Sequence, residues 1–169
     1  MFRFDNYCEE WAKSFKLIKH DPARGSKNKA FYRMDSFSKI IPLCTSLSTG
    51  KDIAMAVVTK LDADAEGHTS KYLHFTYNAF ILVKQKDTTF PTDQEIYAAD
   101  AKALGFEIAE KFLAYMEQDK SVNKDLKALN LSHASIFTDD VAYGKWWATE
   151  IILENVVQRV LCVKPEDYV

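Results

Sequence analysis

The residues of this chain best able to act as bases or metal ligands are its four histidines: His20, His68, His74 and His133. None of them stands beside another histidine, a cysteine or a carboxylate at a spacing that recurs in zinc sites. We interpret them as structural residues of strands or loops. The sequence therefore predicts no catalytic residue, no metal site and no cofactor, and we expect the protein not to be an enzyme.

Two short motifs resemble ligand-binding loops but fail on spacing. Gly50 and Lys51 end a Ser/Thr-rich stretch that resembles a phosphate-binding loop. Such a loop needs a glycine five residues before Gly50, where this sequence has Thr45. Alternating acids begin at Asp62, as in a calcium loop, but the twelfth position holds Leu73 instead of an acidic ligand. Both stretches are predicted to be ordinary loops.

The basic residues of the N-terminal third give the best indication of a partner. Residues 1–60 hold 11 Lys/Arg against 6 Asp/Glu, whereas residues 61–169 hold 11 against 18, so the two parts carry net charges of +5 and −7. We predict an interaction surface at Lys16, Lys19, Arg24, Lys27, Lys29 and Arg33.

Three interpretations of this basic segment remain open. It could contact the acidic part of another copy, attract a nucleic acid through phosphate groups, or form a solvated face with no partner. Asp21 and Asp35 dilute the cluster, and the chain as a whole is slightly acidic with no nucleic-acid-binding motif. Contact between subunits is therefore favoured over nucleic acid.

Length and composition indicate one domain over residues 1–169. The chain has 169 residues, of which 47% are hydrophobic and 27% charged, as in ordinary globular proteins. No apolar run has the roughly 20 residues needed to span a bilayer, and the N-terminus does not resemble a signal peptide. Cys8, Cys44 and Cys162 are far apart and odd in number, which favours buried reduced thiols and a cytoplasmic site of synthesis.

The first half of the chain predicts one helix and two or three strands. Apolar residues at helical spacing predict an amphipathic helix over residues 4–19, followed by an exposed and mobile loop over 20–29. Residues 31–37 suit a short strand, and residues 36–50 remain unassigned. Residues 52–61 suit a buried strand, although their alanines would also permit a short helix. An acidic loop over 62–70 leads to a long alternating strand over 71–85.

The second half predicts a long helix followed by paired strands. Thr92 and Glu95 form a capping box that should begin a helix over residues 93–118, in which Gly105 allows close packing on a sheet. A short helical connection over 121–130 leads to antiparallel strands over 131–138 and 145–154. A change of apolar parity near Glu154 and Asn155 predicts a bulge, or a turn into a last strand.

The expected fold class is therefore α+β. It comprises an antiparallel or mixed β-sheet of about four to five strands, packed against one long helix, with an additional N-terminal helix.

This order of elements resembles that of bacteriophage tail terminator or tail-completion proteins and their prophage relatives. The resemblance includes the step from Tyr143 to Trp146, which opens a strand ending at residues 153–157. It implies a structural virion protein whose α+β subunit forms a ring, commonly hexameric, at the head–tail junction. The implied partners are further copies of the chain and tail-tube or head-completion proteins, with the virion tail as the final location.

The alternative function is a small ligand-binding α+β domain, or an enzyme of unrecognised type, with a pocket between the long helix and the sheet. Such a pocket would be lined by aromatic residues and by polar groups such as Tyr77, His74 and Glu150. A deep cavity in that position would distinguish this alternative from a ring subunit.

Overall fold

A computed structural model describes residues 3–47, 51–59, 62–64, 72–124 and 126–158. Within these residues the chain forms three α-helices: α1 Phe4–Ser14, α2 Ile40–Ser46 and α3 Pro91–Asp119. The same described ranges contain six strands: β1 Phe31–Met34, β2 Ile53–Val58, β3 Asp62–Asp64, β4 Tyr72–Lys84, β5 Ser135–Thr138 and β6 Trp146–Gln158. Short 3-10 turns occupy Phe37–Lys39, Leu126–Ala128 and Leu131–His133.

The strands form one mixed sheet in the order β1-β2-β4-β6-β5, and β3 pairs with β4 beyond the end of β2. The β1–β2 pair is parallel, whereas every other pair is antiparallel. The predicted α+β class, with a mixed sheet, an N-terminal helix and one long helix, is confirmed. The two strands at the centre, β4 and β6, are the longest, and both were expected from their alternating residues.

Helices α1 and α3 lie side by side on one face of the sheet. Helix α3 packs over β4, β6 and β5, and α1 packs over β1 and β2. Phe112 of α3 is fully buried where the two helices meet, and its ring contacts the rings of Phe4 and Trp11. The core therefore joins both helices to the sheet in one hydrophobic layer.

Gly105 brings α3 close to the sheet, as its position in the helix predicts. A β-carbon at this residue would lie 2.5 Å from Thr149 Oγ1 on β6, so only hydrogen fits there. The helix residues around it are buried against the same strands. The predicted role of Gly105 in close packing is confirmed.

The other face of the sheet is covered over only part of its area. The 3-10 turn and α2, which occupy much of the stretch the sequence left unassigned, cover the β2–β4 part. There the ring of Phe37 contacts the buried ring of Phe80, and Ile40 is also buried. Toward β5 this face holds more exposed side chains, including Phe137, which is 55% exposed.

Helix α1 ends at Ser14, five residues before its predicted end. The backbone of Phe15 is extended, and the Ser14 hydroxyl donates to the Trp11 carbonyl. The chain then turns so that Ile18 is fully buried, and Lys19 takes a positive φ of 45°. The apolar residues keep a helical spacing up to Ile18, although the helix has ended, because a turn brings Ile18 back into the core.

The predicted capping box of α3 is wrong. The helix begins at Pro91, with Phe90 as its N-cap and no side-chain capping hydrogen bond. Proline suits the first helical turn, where its missing N–H costs nothing. Thr92 is consequently already inside the helix and cannot cap it.

Three other predictions need correction. Asp62–Asp64 is a strand paired with β4 and not a loop, while residues 65–70 lie outside the described part. Leu131–His133 is a 3-10 turn, so β5 begins only at Ser135. Strand β6 pairs with β4 in one unbroken register up to Gln158, which excludes the predicted bulge or turn at Glu154.

The predictions for thiols and membrane segments can be compared only in part. Cys8 and Cys44 are buried and not in a disulfide, as predicted, and Cys162 lies outside the described residues. Among the described helices, none is long and apolar enough to cross a membrane.

Candidate interaction surface

Five of the six predicted basic residues lie in a loop between α1 and β1, which we call the basic loop (residues 15–30). Hydrogen bonds organise this loop from within. Asp21 accepts from the Ala23 amide at 3.0 Å and from the Ser26 hydroxyl at 2.8 Å, and the Asp21 amide donates to the Asn28 carbonyl. The loop was expected to be exposed and mobile; it is exposed, and these bonds give it a defined conformation.

His20 connects the base of the basic loop to α1 and β1. Its Nδ1 accepts a hydrogen bond of 3.1 Å from the Ala30 amide, and its Nε2 lies 3.5 Å from Glu9 Oε1. Burial lowers the pKa of His20, and the nearby Glu9 carboxylate offsets this only in part. Because both ring nitrogens have a polar neighbour, His20 joins the loop to α1 and β1.

Arg33, the sixth predicted residue, is paired within the subunit. Its guanidinium donates to Asp5 Oδ2 at 3.0 Å, to Asn6 Oδ1 at 3.1 Å and to Glu9 Oε2 at 2.7 Å. Two carboxylates of α1 therefore balance its charge. Arg33 joins β1 to α1 and contributes little positive charge to the outside.

The other predicted cations point to solvent and form what we call the basic patch. All five side chains are exposed; they are Lys16, Lys19, Arg24, Lys27 and Lys29. Leu17 lies between the first two and is 45% exposed, so an apolar side chain is accessible within the basic patch. With Asp21, the basic loop carries five positive charges and one negative charge, so its net charge is about +4.

Helix α3 carries the opposite charge. It contains seven Asp/Glu and two Lys, a net charge of about −5. Glu107 pairs with Lys111 along the helix surface, while Asp100, Glu110 and Glu117 are exposed on the same outer side. Beside these acids, Ile96 is 56% exposed and Phe106 41%. The outer side of α3 is therefore both acidic and partly apolar.

These two charged regions are at different ends of the sheet. The basic loop leads directly into β1, which is one edge strand, and the Ala30 carbonyl accepts from the Met55 amide of β2. Helix α3 packs on β4, β6 and β5, which is the other edge strand. The chain is consequently positive near the β1 edge and negative on the side toward β5.

An open cavity of about 360 Å³ lies between the basic loop and β1. Its lining includes Lys29 and Arg33 as well as Glu9 and the His20 ring. Arg33 and Glu9 are paired with each other across it. Because opposite charges line the cavity, it has no clear selectivity for an anion or a cation.

A second polar group occupies the partly covered face of the sheet. Asn78 donates to Glu150 Oε1 at 2.9 Å, and burial raises the pKa of Glu150. Burial, followed by the neighbouring Asp139, raises the pKa of Tyr143 to about 12. No three His, Cys, Asp or Glu side chains in the described part of the chain are grouped so that they could hold a metal ion.

Tyr77 and Glu150, two of the three residues suggested for a pocket between helix and sheet, do not converge. Tyr77 lies on the helix-covered face, where its ring contacts Phe4, whereas Glu150 pairs with Phe80 on the opposite face. Strand alternation puts these side chains on different sides of the sheet. The side chain of His74 lies outside the described part of the structure.

Comparison with known proteins gives no family assignment. No protein-family model matches the sequence, and no curated protein matches it significantly. Inferences about function therefore depend on the surface itself.

The sequence indicated the basic patch but missed the surface it could meet. The acids of α3 are spread over 29 residues among apolar ones, so no local run of negative charge marks them. Exposure of Ile96 and Phe106 was also hidden, because apolar residues lie on more than one side of this helix. The general charge difference between the two parts of the chain was the only available signal.

Proposed function

We propose that this chain is a structural protein of a phage or prophage virion, a tail terminator-like ring subunit at the head–tail junction. The observation that carries the proposal is the separation of charge across one sheet, positive near the β1 edge and negative on α3. The resemblance in the order of elements supplies the phage context. The proposed assembly is a homo-oligomeric ring, a hexamer in the family it resembles.

Charge separation suits a ring because neighbouring subunits in a ring meet through two different surfaces. A heterologous contact that repeats by rotation closes into a ring, and each subunit then offers one surface to each neighbour. Opposite charge on the two surfaces favours this head-to-tail contact and disfavours contact between two like surfaces. A twofold dimer would not need such a separation.

Oligomer measurements test this proposal directly. Native mass spectrometry and negative-stain microscopy of the purified chain, over a range of concentrations, should show a closed ring of identical subunits. Adding a phage tail-tube protein should then give tubes with this chain bound at one end. A chain that stays monomeric at all concentrations, with and without tail-tube protein, would overturn the proposal.

A further inference from the structure

We infer that the basic loop of one copy docks on the outer side of α3 of the next copy, with Leu17 against Phe106. This inference rests on the proposed ring and names the two surfaces that would form its repeated contact. Both surfaces combine charge with an exposed apolar residue, and the charges are opposite. Contact between the basic loop and α3 is therefore favoured over contact between two basic loops or two α3 helices.

On the basic side, the apolar centre is Leu17. It is 45% exposed and lies between Lys16 and Lys19, whose side chains are also exposed. The adjacent Ile18 is fully buried and fixes this part of the backbone in the core. Because the loop is already ordered by its own hydrogen bonds, docking would cost little conformational entropy.

On the acidic side, α3 offers an apolar stripe on its outer surface. Ile96, Ala99, Ala103 and Phe106 follow helical spacing, and all four are exposed. Because Ala99 and Ala103 have short side chains, Leu17 of a neighbouring copy would contact Phe106 without a larger side chain in the way. A leucine side chain has a suitable size for this position.

Acidic residues border the stripe on α3. Asp100 and Glu110 are exposed one turn from Ile96 and Phe106 respectively, and Glu107 lies next to Phe106. Contact between two α3 helices would bring these carboxylates together, which is unfavourable. A basic partner is preferred, and the basic patch is the largest group of exposed cations in the described part of the basic N-terminal third.

Paired charge reversals provide the test. The first variant is Lys16→Glu with Lys27→Glu; the second is Asp100→Lys with Glu110→Lys, which leaves the Glu107–Lys111 pair intact. Each variant alone should weaken assembly about 100-fold, because the first lowers the net charge of the basic loop from about +4 to about 0 and the second changes that of α3 from about −5 to about −1. Circular dichroism and the thermal midpoint should show that both variants remain folded.

Mixing the two variants distinguishes this contact from a general charge effect. In a head-to-tail arrangement, an equimolar mixture has one matched interface, between the unchanged basic loop and the unchanged α3, and should stop at a 1:1 dimer in native mass spectrometry. A chain carrying all four substitutions should stay monomeric, because its basic loop then has a net charge of about 0 and its α3 about −1, so the two surfaces no longer attract each other. Leu17→Ser should weaken assembly about tenfold without a change in charge.

Control variants are Lys39→Glu and Asp140→Lys, which each make one charge change of the same kind at an exposed position outside the basic loop and α3. These controls should assemble like the unaltered chain. If the unaltered chain forms rings and the paired reversals do too, the inference is wrong while the ring proposal stands. If Lys16→Glu with Lys27→Glu only reduces binding to duplex DNA, the basic patch contacts nucleic acid and the inference is also wrong. If the unaltered chain is monomeric, the ring proposal itself fails.

Discussion

The two helices on the same face of the sheet are held there by different forces. Helix α3 uses buried apolar residues and the close approach at Gly105, whereas α1 adds a polar network in which Arg33 binds Asp5 and Glu9 and His20 joins Glu9 to the basic loop. Packing of apolar side chains depends little on pH and salt, while ion pairs and a buried histidine depend on both. The α1 side should therefore be the condition-sensitive part of the fold.

This difference also explains which charges face outward. Asp5 and Glu9 of the same chain neutralise Arg33, so its positive charge does not add to the basic patch. On α3 the buried side is apolar and leaves most of the acids on the surface. The charge that each helix side exposes is thus a consequence of how that helix is attached.

The largest loss of stability should follow substitution of Phe112, which lies in α3 and packs against α1. Phe112→Ala removes a fully buried ring that contacts α1 through Phe4 and Trp11, and we expect a loss of about 3–5 kcal/mol in unfolding free energy. Urea denaturation at neutral pH and at pH 5 should give a similar loss. As a control, Phe106→Ala on the exposed side of the same helix should change stability by less than about 1 kcal/mol. Equal losses for the two variants would contradict the description of the core.

Gly105→Ala should also destabilise the fold, through the contact between α3 and β6. The new methyl group would lie 2.5 Å from Thr149 Oγ1, and we expect the strain to exceed the helical advantage of alanine by about 1–2 kcal/mol. Thr149→Ala removes the hydroxyl oxygen that the new methyl group would meet. In the Thr149→Ala background, Gly105→Ala should therefore cost much less unfolding free energy than in the unaltered chain. A double-mutant cycle with no coupling would show that α3 can move away from β6 without cost.

Sequence reasoning predicted the parts of this fold that have a local pattern. The alternation in β4 and β6 and the length of α3 could be recognised because each element shows its own periodicity. Phe15 to Lys19 kept helical spacing although the backbone leaves the helix, since a turn returns Ile18 to the core. Thr92 was assigned as a cap because the sequence signal does not reveal that Pro91 already begins the helix.

The interaction surface could be predicted less completely, for a physical reason. Exposed lysines in the basic loop are visible in the sequence, but the partner of each charge depends on distant contacts. Arg33 meets Asp5 and Glu9 only because β1 lies beside α1 in the folded chain. Charged residues that form ion pairs within the chain therefore cannot be distinguished from unpaired ones before the topology is known.

His20 should make the α1 side pH-sensitive. Because burial lowers its folded pKa below the ordinary value of 6.5, the unfolded chain binds more protons in that range, and stability should fall as pH drops below about 6.5. His20→Leu removes this pH dependence and leaves the buried Ala30 amide without its acceptor, at a cost of about 1–3 kcal/mol at neutral pH. Thermal unfolding between pH 7.5 and 5 measures both effects.

His20→Asn is the matched control, because its side-chain oxygen can accept from the Ala30 amide but does not titrate. This variant should keep more of the neutral-pH stability than His20→Leu and should lack the histidine-dependent slope. A slope equal to that of the unaltered chain would show that another group is responsible.

The smallest effect should come from the ion pairs of Arg33, which is 39% exposed and therefore screened. Arg33→Met keeps the aliphatic stem but removes the charge. We expect a loss of about 1 kcal/mol or less in unfolding free energy at low salt, and this loss should disappear at 1 M salt.

The pKa of Asp5 tests the same ion pairs. A hydrogen bond from Arg3, opposed by burial and assisted by Arg33, lowers this pKa from 3.8 to about 2. The Asp5 carboxylate therefore adds stability above pH 3.8 that is lost as pH falls toward 2. In Arg33→Met the pKa of Asp5, measured by NMR titration, should move upward, while Lys27→Met should leave it unchanged. An unchanged pKa in Arg33→Met would mean that Arg3 alone sets it, and α1 and β1 would then be joined mainly by packing, as α3 and β6 are.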